Sequence, residues 1–369
     1  MQTVIQRVQF PDKRRILMVS DLHGHASGLR ALLEKANYTR DDILVIVGDY
    51  IEKGPQNLQT IRYVMELCEA GTVYPLMGNV DIWRLRSLLS DDPVIQRDIV
   101  DFSLFSRRWW PSSLLEEMCA ECGLALDGSF DTQRNFPVLR ERFAKEIAFL
   151  KSLPSILETQ RMIFVHGGIP HERLDELLSV DPHSLMKWDH FMEEGLSFQK
   201  YVTVGHWPVT LYGSCYPCYN PVIDQQRRVI SLDGGCGVKE DGQLNLLVLP
   251  DWRSDSFERF EWTPLPEITA LEAQQETAAS AFIHWGDHLV SVLENQGETS
   301  RILHHDREWT VPSDFLWETG SGTGCNDFTD RCLPVEPGDK LYLVGRYLFG
   351  SYVKKDGMTG WYMGRYQGE

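Results

Sequence analysis

The sequence predicts an α/β domain followed by a small all-β domain, and three observations carry that expectation. Short apolar runs of β type alternate with stretches of helical spacing over much of the 369 residues. The residues fit for chemistry stand at the ends of those apolar runs, where α/β proteins place their sites. From about residue 281 onward the chain changes to short strand-like pieces split by Gly, Asp and Pro, with no helix-period segment. The expected bounds are a first domain over 1–260, a linker over 261–280 and a β domain over 281–369. At this length two domains are the default, and either can bury a core.

In chain order, "RRILMVS" (14 to 20) reads as a strand running into "DLHGHASG", and "LRALLEKA" behind it has helical spacing. "DDILVIVGDYIEKGP" repeats the strand and Gly-containing loop, and "QNLQTIRYVMELCEAG" is an amphipathic helix closed by Gly71. "TVYPLMGN" is a third strand. Residues 82 to about 158 carry helical spacing in "WRLRSLLS", "SSLLEEMCAECGLAL" and "LRERFAKEIAFLKSL", an insertion expected to cover the sheet edge or the site. "RMIFVHGGIP", "YVTVGHWPV" and "VISLDGGCG" are again apolar strands with glycines at their ends, and "QLNLLVLP" completes the set. From "DWRSDS" to "TAAS" the chain turns polar and Pro-bearing, as a linker with a short helix would.

Composition narrows the function. Acidic residues outnumber basic ones 53 to 36, and the formal charge of -17 opposes polyanion binding, so no stable nucleic-acid complex is expected. No apolar run reaches the ~18 residues of a membrane helix, and "MQTVIQRVQFPDKRR" lacks the apolar core of a signal peptide. A cytoplasmic protein without a membrane partner is the expectation. Eight cysteines are too dilute for a disulfide scaffold, so thiols are expected.

Asp21, His23, Asp49, Asn79, His166 and His206 bring hard oxygen and imidazole nitrogen donors to strand ends. That donor set suits a pair of divalent ions, with Mn the first choice and Fe, Zn, Co or Ni as alternatives. A shared carboxylate can bridge two ions ~3.5 to 4 Å apart, and such a pair activates a water and clamps a phosphoryl group. Asp49 is the bridging and catalytic candidate. A lone Asp or His at a strand end is more often a cap or a satisfied polar group. The spacing D-x-H, G-D, G-N, H-G-G and G-H in one chain lifts these six out of that background.

At "SDLHGH", "VGDYIEKGP", "MGNVD", "FVHGG" and "VGHWP" the chain resembles the calcineurin-like metallophosphoesterases. Within them it is similar to the PPP-type phosphatase branch and its diadenosine tetraphosphatase-like relatives, over residues 15 to about 250. "VISLDGGCG" looks like the family's closing segment. The resemblance implies a four-layer α/β/β/α sandwich around two sheets and hydrolysis of phosphate esters. It also implies one metal on Asp21, His23, Asp49 and His206, and another on Asp49, Asn79 and His166.

Departures from the family pattern fall around the substrate. In the pattern the histidine after the asparagine protonates the leaving group, an aspartate orients it, and an adjacent arginine binds phosphate. Val80, Glu52 and Lys53 occupy those positions here, and Trp188, Asp189 and His190 stand where relatives show Trp-x-Arg. A general acid contributes about 10² to 10⁴ in rate. Asp81, His25 and His190 are the candidates to replace it, and Lys53 and His190 the candidates to bind substrate. Fewer fixed cations, with a "GNVD" similar to phosphodiesterase-type members, favour a phosphodiester or nucleotide-type substrate over a phosphomonoester dianion. The alternatives are a phosphoprotein or small-molecule phosphomonoesterase, and a non-catalytic platform that holds metal. Full ligand retention favours the enzyme.

Secondary features are weaker signals. Cys119 with Cys122 and Cys215 with Cys218 form C-x-x-C pairs, a spacing shared by zinc ribbons, redox pairs and plain helix faces. "RRWWPSS" offers either a nucleobase-stacking surface or packing anchors. "TGSGTGC" reads as a turn. The stretch "GDKLYLVGRYLFGSYVKKDGMTGWYMGRY" resembles a bacterial SH3-type barrel, which implies a peptide partner or a contact with the neighbouring domain.

Overall fold

Apolar runs and amphipathic stretches become sheets and helices in the computed structural model of the protein, which describes residues 2–213 and 215–368. Two units result. The first holds the chain up to Pro208 together with Pro221–Trp262, and the second holds Val209–Asn220 and the chain from Thr263 on.

The first unit runs β1 (Ile5–Arg7), β2 (Ile16–Val19), α1 (Ala26–Lys35), β3 (Ile43–Ile46), α2 (Asn57–Ala70), β4 (Thr72–Pro75) and α3 (Asn79–Leu89). Four more helices follow, α4 (Pro93–Ser106), α5 (Leu114–Glu121), α6 (Thr132–Arg142) and α7 (Ala144–Ser152). β5 (Ile156–Glu158), β6 (Met162–Val165), α8 (Pro182–Met186), β7 (Tyr201–Val204), β8 (Val222–Asp224), β9 (Val229–Ser231), β10 (Leu244–Leu249) and β11 (Glu258–Trp262) complete it. One sheet has the order β11-β10-β2-β3-β4, with β2, β3 and β4 parallel. The other has the order β1-β5-β6-β7-β9-β8, with β6, β7 and β9 parallel.

Side-chain alternation on β2 and β3 explains how the layers stack. Ile16, Met18, Ile43 and Val45 share a core with Leu157, Phe164 and Ile230 of the other sheet. Leu17, Val19, Leu44 and Ile46 turn to the opposite face and pack with Leu29 and Leu32 of α1, Ile61 and Val64 of α2, and Leu85 of α3. Burial on both faces is why these strands read as unbroken apolar runs. The unit is a mixed α/β fold whose parallel strands deliver their C-terminal ends to one region.

The segment expected to be a linker with a short helix contains strands and no helix. β11 pairs antiparallel with β10, and Phe260 and Trp262 pack on the helix-side core. Glu258, Arg259 and Glu261 give the stretch its polar look and mask the period-2 pattern.

The second unit comprises β12 (Glu267–Thr269), β13 (Phe282–Ile283), β14 (Leu289–Asn295), β15 (Thr299–His304), β16 (Arg307–Pro312), β17 (Leu316–Thr319), β18 (Gly322–Cys325), β19 (Phe328–Thr329), β20 (Lys340–Tyr347), β21 (Gly350–Lys355) and β22 (Met358–Tyr362). Its strands form sheets of order β12-β20-β21-β22 and β16-β15-β14-β18-β17 and the pair β13-β19. Ile283, Ile302, Trp309, Val311, Phe315, Phe328, Tyr352 and Trp361 fill one core. Residues 209–220 join this unit because the Tyr219 amide donates to the Gly357 carbonyl and Asn220 Nδ2 donates to Asp356 O, each at 2.8 Å. No helix among the described residues is long and apolar enough to cross a membrane.

Candidate metal centre and its rim

Asp21 and His23 follow β2, Asp49 follows β3, Asn79 opens α3 after β4, His166 follows β6, and His206 follows β7. The loops are bent to bring them together. Asp21, His23, Asp49 and His206 all take the left-handed conformation, with φ of 54°, 38°, 54° and 67°. Such values are costly for non-glycine residues and gather where surrounding structure imposes them. The His23 amide donates to Asp49 O at 2.9 Å and the Asp21 amide to Gly48 O at 3.1 Å. Glycine is required beside the carboxylates: a Cβ on Gly78 would lie 2.2 Å from Asp49 Oδ1, and one on Gly205 2.3 Å from Asp21 Oδ2.

The donor atoms converge. His23 Nε2 lies 3.6 Å from Asp49 Oδ2 and 3.9 Å from Asp21 Oδ1. His166 Nε2 lies 3.4 Å from Asp49 Oδ2, 3.9 Å from Asp21 Oδ1 and 3.0 Å from Asn79 Oδ1. His206 Nδ1 lies 2.8 Å from Asn79 Oδ1, and its Nε2 lies 2.7 Å from Asp189 Oδ1. The His206 ring therefore sits with Asn79 and His166, and only its backbone amide reaches Asp21. All six side chains come together, but His206 stands on the other side of the centre from the one the resemblance implies.

The chemistry of this cage fits divalent cations. His23 Nδ1 faces Ile51 O at 3.1 Å and His166 Nδ1 faces Val47 O at 2.6 Å, so each ring can donate outward and turn an Nε2 lone pair toward the carboxylates. Asp233, after β9, adds a further fully buried carboxyl whose Oδ2 has no hydrogen-bond partner among the described residues. Burial, then the neighbouring Asp233, raises Asp21 above the usual carboxylate range. Burial opposes the charge on His166, but Asp49 and Asp21 push it up to about 10. Burial and then Lys53 bring His23 down to about 3. Without an ion the cage thus holds its crowded carboxyls by keeping protons on Asp21 and His166, and divalent cations would take the place of those protons. The sequence does not mark Asp233 among the donors, although the motif "SLDGGCG" that holds it ends a strand at the same place.

Around the cage the expected replacements for the missing acid separate. Asp81 is fully buried, and its oxygens accept the amides of Asp49 at 2.8 Å, Gly78 at 2.9 Å and Tyr50 at 3.0 Å. Burial and then Asp49 push it up to about 7, but no edge of it faces solvent. Its expected role as proton donor is corrected: it ties the Asp49 loop to the start of α3. His25 is buried against the Lys53–Gly54 loop, and burial lowers its pKa, which keeps it neutral near pH 7 and against an acid role. Glu52 is committed elsewhere: its Oε1 accepts from Arg84 Nε at 2.7 Å in a pair with both side chains buried. Lys53 Nζ lies 3.0 Å from His23 Nε2, at the cage. His190 stays half exposed on the rim, with its ring 4.1 Å from that of Trp207.

The calcineurin-like phosphoesterase family matches residues 14–232, more than half of the chain. The chain belongs to that family. Shorter similarities fall within the bis(5'-nucleosyl)-tetraphosphatases. The symmetrical enzyme of Photorhabdus laumondii is 39% identical over 66 residues, 18% of this chain and 23% of that protein. That of Glaesserella parasuis is 38% identical over 85 residues, 23% of this chain and 30% of that protein. The match thus spans less than a third of those relatives' length. Among solved structures, a Saccharomyces cerevisiae protein serine/threonine phosphatase superposes with a TM-score of 0.44 at 11% identity, over 72% of this chain and 85% of that one.

Proposed function

We propose that the chain is a metal-dependent phosphoesterase that favours phosphodiester or nucleotide-type substrates. One observation supports this most: six oxygen and nitrogen donors from separate strand ends converge on one buried cage, with the buried carboxyl of Asp233 beside Asp21. Asp21, His23 and Asp49 would hold one divalent ion, and Asp49, Asn79, His166 and His206 the second, with manganese the first choice. When bound, such a pair supplies an activated water and a clamp on the phosphoryl oxygens.

The chain's own residues do the rest. Asp49 reaches both sides of the cage, and the Val80 amide steadies its Oδ1 at 2.9 Å. Asp189 accepts from His206 Nε2 and fixes the tautomer that turns Nδ1 inward. Lys53 brings one point charge to the phosphate, where a guanidinium would bring a fork. His190, tilted by 42° against Trp207, leaves an exposed ring for the leaving group, and the nucleotide preference rests on it and on the tetraphosphatase-like segment.

The test compares hydrolysis of bis-p-nitrophenyl phosphate and p-nitrophenyl phosphate in Mn²⁺, beside Asp49→Asn. The variant should lose at least about 10³-fold, the several kcal/mol that metal activation contributes. A diester rate above the monoester rate supports the substrate class. A protein that holds two metal ions and hydrolyses neither ester is a binding platform, and the proposal fails.

A further inference from the structure

The second unit holds a cluster of metal-ligating side chains of its own. His304 ends β15, His305 sits in the turn before β16, and Asp287 lies in the turn before β14. His304 Nε2 stands 3.3 Å from Asp287 Oδ1 and 2.9 Å from the Asp287 carbonyl oxygen. His305 Nε2 stands 2.9 Å from Asp287 Oδ2, and the two imidazole rings are 4.2 Å apart. One donor atom from each residue lies within 4.8 Å of those of the other two.

Two accounts compete for this geometry. In the first it is a hydrogen-bonded staple between two turns. That needs only His304, which is 6% exposed and already meets both a carboxylate and a carbonyl oxygen of Asp287. His305 is exposed, and a second contact from it to the same half-exposed carboxylate adds little stability in water. It also takes a left-handed backbone, φ 51°, where Asn or Gly costs less. In the second account His305 supplies what a staple lacks, a second imidazole nitrogen at chelating distance. Bonds of about 2.0 to 2.2 Å set tetrahedral donors about 3.2 to 3.6 Å apart. The 3.3 Å pair has that spacing, and the exposed His305 has room to swing out to it.

We propose that Asp287, His304 and His305 form a surface site for a borderline divalent cation of the Zn²⁺ class, which clips the β15–β16 turn to the turn at Asp287. Two imidazoles and one carboxylate select Zn²⁺, Ni²⁺ or Cu²⁺ over Mg²⁺ and Ca²⁺. Binding displaces any Nε2 protons to solvent, and water completes the open side of the shell.

Equilibrium dialysis of the full chain against Zn²⁺ tests it, with bound zinc counted per chain in wild type, His305→Asn and Asp287→Asn. Asparagine at 305 keeps the left-handed turn, and asparagine at 287 keeps an acceptor for His304. Wild type should bind one equivalent more than either variant, or bind that equivalent at least about 10-fold more tightly, the least that losing even an outer partner costs. Thermal unfolding in chelator should match for wild type and His305→Asn, which shows the fold intact. Equal zinc content and affinity in all three proteins would overturn the site, whatever the cage retains.

Discussion

The cage and its rim are built from the same loops, yet they obey different constraints. In the cage Asp21, His23, Asp49, His166 and His206 are each held by a left-handed backbone or a backbone partner as well as by the neighbouring donors, as with His23 between Ile51 O and the carboxylates, and Asn79 is held between two histidines. At the rim the pattern has been rewritten. Val80 carries no acid, Glu52 has turned to the buried Arg84, and Lys53 stands where a guanidinium would fork. Metal chemistry fixes donor type and spacing closely, whereas substrate contact tolerates exchange of one residue for another. In the proposed function the cage sets the kind of reaction, and the rim would select what is processed.

Unpairing Glu52 from Arg84 should have the largest effect. Glu52→Gln leaves a buried guanidinium without its counter-charge, and stability in urea should fall by about 3 to 5 kcal/mol. A Glu52→Leu/Arg84→Met double variant should recover most of it. A loss of activity without a loss of stability would return Glu52 to the chemistry.

The next effect is on pH. In the metal-free protein His166 carries a folded pKa of about 10 against an ordinary 6.5. Its contribution is present below 6.5 and is lost as pH rises toward 10. Between pH 7 and 9 the chelated protein should therefore lose about 1.4 kcal/mol per unit in urea unfolding. With metal bound that slope should vanish, because the ion takes the place of the proton. An equal slope in both forms would remove His166 from the ligand set.

Asp81→Asn probes the corrected strap. One amide oxygen cannot serve three backbone donors, so stability should drop by about 1 to 3 kcal/mol per unmet group while the alkaline limb of the rate profile stays put. A shifted limb would make Asp81 a proton donor after all. Smallest is His190→Ala at the exposed rim. A few-fold rise in KM for a dinucleoside polyphosphate is expected, with bis-p-nitrophenyl phosphate unchanged, from a stacking contact of about 1 kcal/mol. Equal effects on both substrates would deny the rim its selective role.

Sequence made the cage legible because strand ends and glycines leave marks: Gly78 and Gly205 stand where no Cβ fits, and the apolar runs end at the donors. Partner choice left no such mark. Nothing in "GNVDIWR" says that Arg84 rather than a histidine meets the acid two residues before Gly54, since that pairing depends on how α3 lies against the loop. Asp81 looked reactive by position and proved saturated by amides, which only the folded backbone reveals. β11 was hidden because three of its five residues are charged, and a strand with one solvent face reads as a linker.

A two-metal phosphoesterase that works without a fixed proton donor at Val80 should depend steeply on its leaving group. The direct measurement is kcat/KM in Mn²⁺ for a series of aryl phosphodiesters whose leaving-group pKa spans about 4 to 10. A steep decline as the leaving group becomes more basic, which Val80→His flattens, is the predicted result. A flat profile in the unaltered protein would show that a donor is already in place and that Val80 leaves no gap.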